Sequence, residues 1–323
     1  MCFWKPPPFA IQDQQLLAKR FSVTITTLPW HPLRLLRQLA KSDICVCWFA
    51  DVHSAIAVGI SRALRKPSIV IAGGYDVARV PEIHYGALLY SPITRLSAMY
   101  ALRRADRVLV VDRMLALEAE TNMGVETSKI RYVPTGYDSE FWKPIPGTER
   151  EATVITVATV DDSTIRLKGL EFYARIAAIV REASFVIAGK ATPKAMESLT
   201  HLAQGNIRFT GQVSQEVLLG MFRRAGVYCQ LSRHEGLPNS LCEAMLCGCV
   251  PVGTRAGGIP TAIGDAGSYI EFGDAIAGAD AVRKALRAPS ASREKARERI
   301  SKMFPIQRRE RELAAQVLEL AGK

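Results

Sequence analysis

The chain has no charge-free stretch of about 18 apolar residues, the length a helix needs to cross a lipid core. The longest candidate, 44–60, is interrupted by Asp51 and His53. No charged segment followed by an apolar one stands at the N-terminus, which reads MCFWKPPPFA, so no secretory leader is read and a cytoplasmic location is expected. Cys-x-x-Cys does not occur, and no histidine pair has metal-ligand spacing, which argues against a structural zinc site. The seven cysteines fall among apolar neighbours: Cys45 and Cys47 alternate in one short run, and Cys242, Cys247 and Cys249 surround another. Reduced, buried thiols are the expectation. No aromatic-rich basic sheet or groove-reading helix motif is present, so nucleic acid is not an expected partner. Beyond Pro6-Pro7-Pro8 there is no low-complexity tract and no repeat.

What is present is a globular composition. Of 323 residues, 48% are apolar and 23% charged, which suits two domains each able to bury a core. The formal net charge of +11 implies anionic partners. The excess is shared between the two halves, but Arg95, Arg103, Arg104 and Arg107 form a local cluster interleaved with Leu96, Met99, Tyr100 and Leu102. That pattern reads as an amphipathic helix with a basic edge. It is either a solvated face or a docking surface for an anionic membrane.

Short apolar runs alternate with helix-period segments along the whole chain. In the first half, 21–26, 44–49, 68–72 and 107–111 read as strands; 33–40, 54–64, 90–104 and 114–123 read as helices, and 130–134 closes the domain. After a Pro/Gly-rich stretch ending near Thr148 a second series begins: strands at 153–158, 185–188, 207–209, 227–231, 250–253 and 269–271. Its helices fall at 170–181, 193–203, 215–224, 241–247, 279–286 and 292–302, and 304–320 forms a last charged amphipathic helix. Such alternation predicts an α/β protein with parallel sheets covered on both faces.

The stretch 226–260, GVYCQLSRHEGLPNSLCEAMLCGCVPVGTRAGGIP, organises the second series. A buried strand runs into a polar turn, and Pro238, Asn239 and Ser240 supply helix-start chemistry with cap-competent oxygens. Amides around Asn239–Leu241 are then expected to face outward and attract phosphate. Glu235 in the turn and Glu243 one turn into the helix are suited to accept hydrogen bonds from paired sugar hydroxyls. The plainer alternative is one surface glutamate and one helix-terminal glutamate.

The residues Glu235, Gly236, Leu237, Pro238, Asn239, Ser240, Glu243, Ala244, Gly248, Pro251, Gly257, Gly258 and Pro260 resemble the signature segment of retaining glycosyltransferases of family 4. The resemblance implies a GT-B fold: two Rossmann-like βαβ domains facing a central cleft, 1–146 on the acceptor side and 147–303 binding the nucleotide sugar, with the helix 304–323 crossing back to the first. It implies transfer from a nucleotide-diphosphate sugar to a glycan or lipid-linked acceptor by front-face attack. The donor is a co-substrate, and neither a cofactor nor a metal ion is expected. Asp161-Asp162 reads as a loop cap rather than a metal site.

By the same resemblance, Lys168 of Lys168-Gly169 meets the donor phosphates, with Arg166 as its neighbour. Glu243 holds the ribose hydroxyls, Glu235 contacts the transferred sugar, and the turn containing Gly211 and Val213 approaches the base. Two departures stand out. Ala158-Thr159 occupies the place where most members carry Gly-Arg, and the histidine common near Gly73 is absent, leaving His53 or His84 as substitutes. Gly74, Tyr75, Asp76 and Arg79 are the acceptor-side candidates. Cys2-Phe3-Trp4 reads as the tail of a first strand followed by prolines in place of a glycine-rich turn. The alternatives left open are a sugar-nucleotide epimerase or hydrolase on the same fold, and a non-catalytic nucleotide-sugar-binding subunit.

Overall fold

The computed structural model describes residues 1–3, 7–27 and 32–322. In chain order these form β1 (Cys2–Phe3), α1 (Pro8–Ala18), β2 (Thr26–Thr27), α2 (Pro32–Ala40), β3 (Cys45–Trp48), α3 (Val52–Ala63), β4 (Ser68–Ala72), α4 (Pro92–Arg104), β5 (Arg107–Val110), α5 (Arg113–Thr121) and β6 (Ile130–Tyr132). They continue with β7 (Glu151–Val157), α6 (Thr164–Lys168), α7 (Leu170–Ile179), β8 (Ser184–Ala188), α8 (Pro193–Leu202), β9 (Arg208–Phe209), α9 (Gln215–Arg224) and β10 (Ala225–Gln230). The chain closes with α10 (Asn239–Leu246), β11 (Val250–Gly253), α11 (Ile259–Ile263), β12 (Ser268–Tyr269), α12 (Ala275–Leu286), α13 (Ser290–Met303) and α14 (Ile306–Ala321).

These elements fall into two compact units, Met1–Gly136 with Ile306–Lys323 and Tyr137–Pro305. The first holds a parallel sheet in the order β2-β1-β3-β4-β5-β6. Right-handed crossovers set α2, α3, α4 and α5 along one face. The connection from β1 to β2 runs the opposite way, and its helix, α1, packs against α14. Ile69, Val70, Ile71, Val108, Leu109 and Val110 are wholly buried, as strands covered on both faces require. Local chemistry starts the helices. Ser91 accepts from the Thr94 amide ahead of α4, with Pro92 at its first position, and Asp112 accepts from the Met114 amide ahead of α5.

An ion pair with no solvent contact ties the last helix into the first unit. Arg309 of α14 donates Nε to Asp13 Oδ1 at 2.9 Å and Nη2 to Asp13 Oδ2 at 2.6 Å, and Nη1 reaches the Val133 carbonyl at 2.5 Å. Trp48 Nε1 donates to the same Asp13 Oδ2 at 2.9 Å. Arg107, expected in the basic cluster, is instead buried and pairs with Gln316 and Glu319 of α14. Of the strand expected at 21–26 only Thr26 lies in a strand: among the described residues β2 pairs with β1 through Cys2–Thr26 and Phe3–Thr27. Trp4, expected in the first strand, lies outside the described residues.

The second unit holds a parallel sheet in the order β12-β11-β10-β7-β8-β9. The strand order reverses between β7 and β10, which makes the carboxyl ends of these two neighbours the crevice where open α/β sheets take ligands. Its core gathers Phe172, Tyr173, Ile176, Phe185, Ile187, Val227 and Val252 between the sheet and α7, α8 and α12. Residues 137–146, assigned by sequence to the first domain, pack in this unit. Trp142 is buried against Phe222, and Arg297 of α13 grips the Trp142, Leu246 and Ser139 carbonyls at 2.7–2.8 Å. The boundary therefore falls at Gly136–Tyr137, ahead of the Pro/Gly-rich stretch.

Candidate active site

Lys168 and Glu235 meet at that crevice. Lys168 ends α6, a single helical turn where a loop was expected. The Leu167 carbonyl accepts from the Arg233 amide at 2.8 Å, and Gly169 turns with φ +63°. A Cβ on Gly169 would stand 2.2 Å from the Leu231 carbonyl, so only glycine lets this turn lie against the end of β10. The docking carries Lys168 Nζ to 2.7 Å from Glu235 Oε1.

Glu235 Oε1 also accepts from Ser232 Oγ at 2.6 Å and Gln230 Nε2 at 2.9 Å. All three donors converge on one oxygen; among the described residues none reaches Oε2. The Glu235 backbone is held from the other side by the Gly257-Gly258 turn. Gly258 N donates to the Glu235 carbonyl at 3.1 Å, and a Cβ on Gly257, whose φ is +51°, would meet that carbonyl at 2.1 Å. The glycines of GG-I-P thus shape the Glu235 turn from behind. The following Ile259–Ile263 forms a short helix that the sequence pattern does not announce.

α10 begins at Asn239 after Pro238, and its first turn has no side-chain cap. The expected cap does not form, because Asn239 Oδ1 accepts instead from Tyr137 OH at 2.9 Å. Gly236, Leu237 and Pro238 are buried in the turn, while Asn239 and Ser240 are half-buried. Glu243 follows one turn later. Its carboxyl has no hydrogen-bond donor among the described residues, and burial alone pushes its pKa up to about 7. Tyr228 lies near both Glu235 and Glu243, and burial drives its phenol far above the ordinary range, so it stays neutral.

The remaining second-unit candidates are spread around this centre. Arg166 is exposed on α6 and has no ion pair among the described residues. Gly211, at φ +70° with nothing within 4 Å of its would-be Cβ, follows β9, and Gly189 N donates to its carbonyl at 3.0 Å. Val213 is half-buried beyond it. Ala158, in place of the usual glycine, leads to a tight crossing in which Gly189 lies against its carbonyl. Asp161 accepts from Ser163 N, Ser163 Oγ and Thr164 N at 2.6–3.0 Å, which holds its carboxyl below the usual range; it caps the turn into α6.

In the first unit, the candidates after β4 divide. Asp76 is fully buried and staples two loops: Oδ2 accepts from Ala50 N at 3.1 Å, and Oδ1 from Gly73 N and Gly74 N at 3.1 and 2.9 Å. Burial raises its pKa to about 6 against those donors. Gly74 turns at φ +139°. Tyr75 is half-buried, its ring edge-on to Tyr85 and Tyr90 at 5.5 and 6.5 Å, and Arg79 is exposed. His53 is buried with its Nε2 2.9 Å from the Trp48 carbonyl, and burial lowers its pKa. Sequence reasoning passes over Gln230 and Ser232, whose only signal is that two polar residues close an otherwise apolar strand.

Residues 151–288, within the second unit, match the family of glycosyl transferases group 1. They are a glycosyl transferases group 1 domain. Lys168, Glu235 and Glu243 all lie inside this group 1 domain. Among curated proteins, the chain is 27% identical over 171 residues to the MMP alpha-(1->4)-mannosyltransferase of Mycolicibacterium hassiacum, covering 51% of this chain and 41% of that protein. It is 23% identical over 199 residues to one subunit of the phosphatidylinositol N-acetylglucosaminyltransferase from Arabidopsis thaliana, covering 59% and 42%. The matches therefore span less than half the length of these relatives. Among solved structures, HepE of Anabaena in complex with UDP-glucose superposes with a TM-score of 0.78 at 14% identity, covering 99% of each chain. Sucrose-phosphate synthase from Thermosynechococcus elongatus gives 0.75 at 16% identity, covering 96% and 92%. At that identity the likeness is one of fold, and the fold is GT-B.

Proposed function

We propose that the chain is a retaining glycosyltransferase of family 4, transferring a sugar from a nucleoside-diphosphate donor to a hydroxyl of a glycan or lipid-linked acceptor. The observation that carries the proposal is the convergence of Lys168, Glu235, Glu243 and the uncapped start of α10 on one strand crossover. Lys168 and Arg166 neutralise the diphosphate together with the free α10 amides. Glu243 accepts from the two ribose hydroxyls, Glu235 from hydroxyls of the transferred sugar through its open Oε2, and the turn at Gly211 and Val213 borders the base. HepE was crystallised with UDP-glucose, and a UDP-sugar is therefore the first donor to test.

In the transfer, the bond from the anomeric carbon to phosphate oxygen breaks while the bond to the acceptor oxygen forms on the same face. The acceptor's proton passes to the departing phosphate oxygen. A double displacement requires a free carboxylate nucleophile. Glu235, with three donors on one oxygen, is held in place and suited to positioning. Because cations and amides of the chain meet the leaving group, no metal ion is needed, and activity persists in excess EDTA. Tyr75 and Arg79 are the accessible acceptor-side candidates, and Gly74 and Asp76 shape the loop that carries them. The buried thiols of the described cysteines favour a reducing, cytoplasmic setting.

Thermal-shift screening against UDP-, GDP-, ADP- and dTDP-sugars identifies the donor, since a ligand that binds the folded state raises its apparent stability. Turnover with acceptor, and the anomer of the product, then test the chemistry. A retained anomer formed without added metal is the expected result. An inverted anomer or a strict need for Mg²⁺ or Mn²⁺ overturns the mechanism. Donor binding without any transfer would assign a non-catalytic binding role, and release of free or epimerised sugar would assign the hydrolase or epimerase reading.

A further inference from the structure

Three neighbouring helices of the first unit are chemically one-sided. α2, α3 and α4 together contain six arginines, Arg34, Arg37, Arg62, Arg95, Arg103 and Arg104, and neither aspartate nor glutamate. All six are exposed, and none has an ion pair among the described residues; Arg62 donates to the Arg104 carbonyl at 3.3 Å and Arg103 to the Met123 carbonyl at 2.6 Å, while no side-chain bond is shown for Arg34, Arg37, Arg95 and Arg104. This is unlike the rest of the helical surface: α5, α13 and α14 carry both signs, with pairs such as Lys302–Glu298 and Arg308–Glu312. The acids that flank the three helices in sequence, Asp43, Asp51 and Asp106, lie in loops, and Asp51 is turned into its own helix start, accepting from the Val52 amide at 2.7 Å.

The same three helices expose large apolar side chains that no described part of the chain covers. Leu33 and Ile93 are 70% exposed and Leu96 61%, with Leu36, Ile56 and Tyr100 beside them. α3 packs against both α2 and α4, and Tyr100 of α4 lies over Gly59 of α3. The apolar residues are not scattered. In a parallel βαβ sheet each helix runs back against its strands, so the first turns of these helices stand at the carboxyl end of the sheet. Leu33, Leu36, Ile56, Ile93 and Leu96 all lie in the first two turns. Arg62, Arg103 and Arg104 lie in the last turns, and Arg34, Arg37 and Arg95 are interleaved with the apolar set.

We propose that α2, α3 and α4 form a docking surface for an anionic phospholipid bilayer. The apolar first turns enter the headgroup–acyl boundary and the arginines meet lipid phosphates. Charge complementarity selects this occupant: unpaired arginines around exposed Leu and Ile suit a surface that is negative outside and apolar just beneath. Tyr90, which precedes α4 and is 72% exposed, continues the patch to Tyr75 in the loop after β4. On the transferase reading, to which this step alone is tied, the acceptor is then an amphiphile held in that bilayer. The docking itself does not depend on catalysis.

The test is flotation of the full chain with vesicles of phosphatidylcholine alone or with about 30% phosphatidylglycerol as probe. Binding is expected only to the anionic vesicles, weakening steeply from about 50 mM to about 500 mM NaCl. Arg95→Gln with Arg104→Gln lowers the partition coefficient by about thirtyfold, and Ile93→Ser with Leu96→Ser by at least about tenfold. All four positions are exposed, so melting temperatures stay near wild type; a variant that loses folding is replaced by Arg37→Gln with Leu33→Ser. Equal binding to neutral vesicles, no binding to either, or variants that bind as wild type overturn the proposal. So does concentration-dependent self-association in light scattering that the Ile93→Ser, Leu96→Ser variant abolishes, since the patch would then meet a second copy. Donor-induced thermal shifts are read in parallel: retained shifts with no flotation reject the docking alone, and absent shifts with normal flotation reject the transferase reading alone.

Discussion

Glu243 holds a carboxyl without a protein donor among the described residues, and its pKa of about 7 means that charge on it costs folding free energy. The folded pKa is raised above the ordinary 4.5, so the folded state keeps a proton that the unfolded chain releases between those values. Stability therefore falls as pH rises from about 4.5 through about 7, and Glu243→Gln recovers roughly 1–3 kcal/mol at about pH 8 but nothing below about pH 4. Thermal melts of the ligand-free protein at the two pH values check this. A donor whose ribose hydroxyls donate to the ionised carboxylate reverses the balance. Its dissociation constant should drop about tenfold from about pH 6 to about pH 8 in the wild type and stay flat in Glu243→Gln, which binds the donor weakly throughout. Titration calorimetry with an intact nucleotide sugar, free of titrating phosphates in this range, is the measurement. Glu235→Gln, by contrast, replaces an oxygen that receives three donors, and its main effect falls on turnover. Gly257 belongs to the same scale. Gly257→Ala places a methyl group against the Glu235 carbonyl from a left-handed backbone. It should cost about 1–3 kcal/mol and lower kcat together with stability, whereas Gly205→Ala, also left-handed but with open space around it, loses stability without loss of turnover.

Among the elements, α14 shows how a distant part of the chain becomes structural. Its Arg309 and Asp13 of α1 bury opposite charges whose hydrogen bonds are filled by each other, by Trp48 and by the Val133 carbonyl. Removing one partner leaves a buried charge alone, and Asp13→Ala should destabilise the protein by about 3–5 kcal/mol in urea unfolding. Asp13→Leu with Arg309→Met, which removes both charges, should cost far less than the single change. Periodicity reveals α14 but not α1, because PFAIQDQQLLA offers a weak apolar stripe and hides a buried aspartate among polar residues. Pro8 at its first position is the available signal, and it is masked by the proline run to which it belongs. α10 shows the converse. Asn239 and Ser240 have cap-competent side chains, yet Tyr137 takes the Asn239 oxygen and leaves the first turn open. Local propensity favours a cap, and a contact over 102 positions overrides it.

For the whole molecule, the basic excess divides into two populations. Arg150, Arg297, Arg299 and Arg309 spend their donors on backbone carbonyls or a buried acid inside their own unit. Of the arginines of α2, α3 and α4, Arg62 and Arg103 each donate to one backbone carbonyl, and none of the six forms an ion pair among the described residues. Donor binding should appear in hydrogen exchange as slowed amides in 159–169, 209–213 and 231–243, the loops at the carboxyl ends of β7, β9 and β10. Unchanged exchange in all three segments with a saturating UDP-sugar would rule out the assigned site. Composition and the alternation of strand and helix periods were enough, by themselves, to determine an α/β chain with two parallel sheets, because burial on both faces leaves its mark on nearly every strand. The run from Glu235 to Pro260 was likewise enough to mark the centre of the second unit, since glycines at close crossings and acids at helix starts are local requirements. Only the tertiary structure decided that Lys168 closes on Glu235, that Arg107 leaves the surface, that Asp76 staples two loops, and that three acid-free helices lie side by side. Each of those depends on which strands neighbour one another, and a pairing between residues far apart in the chain carries no period that a one-dimensional pattern can display.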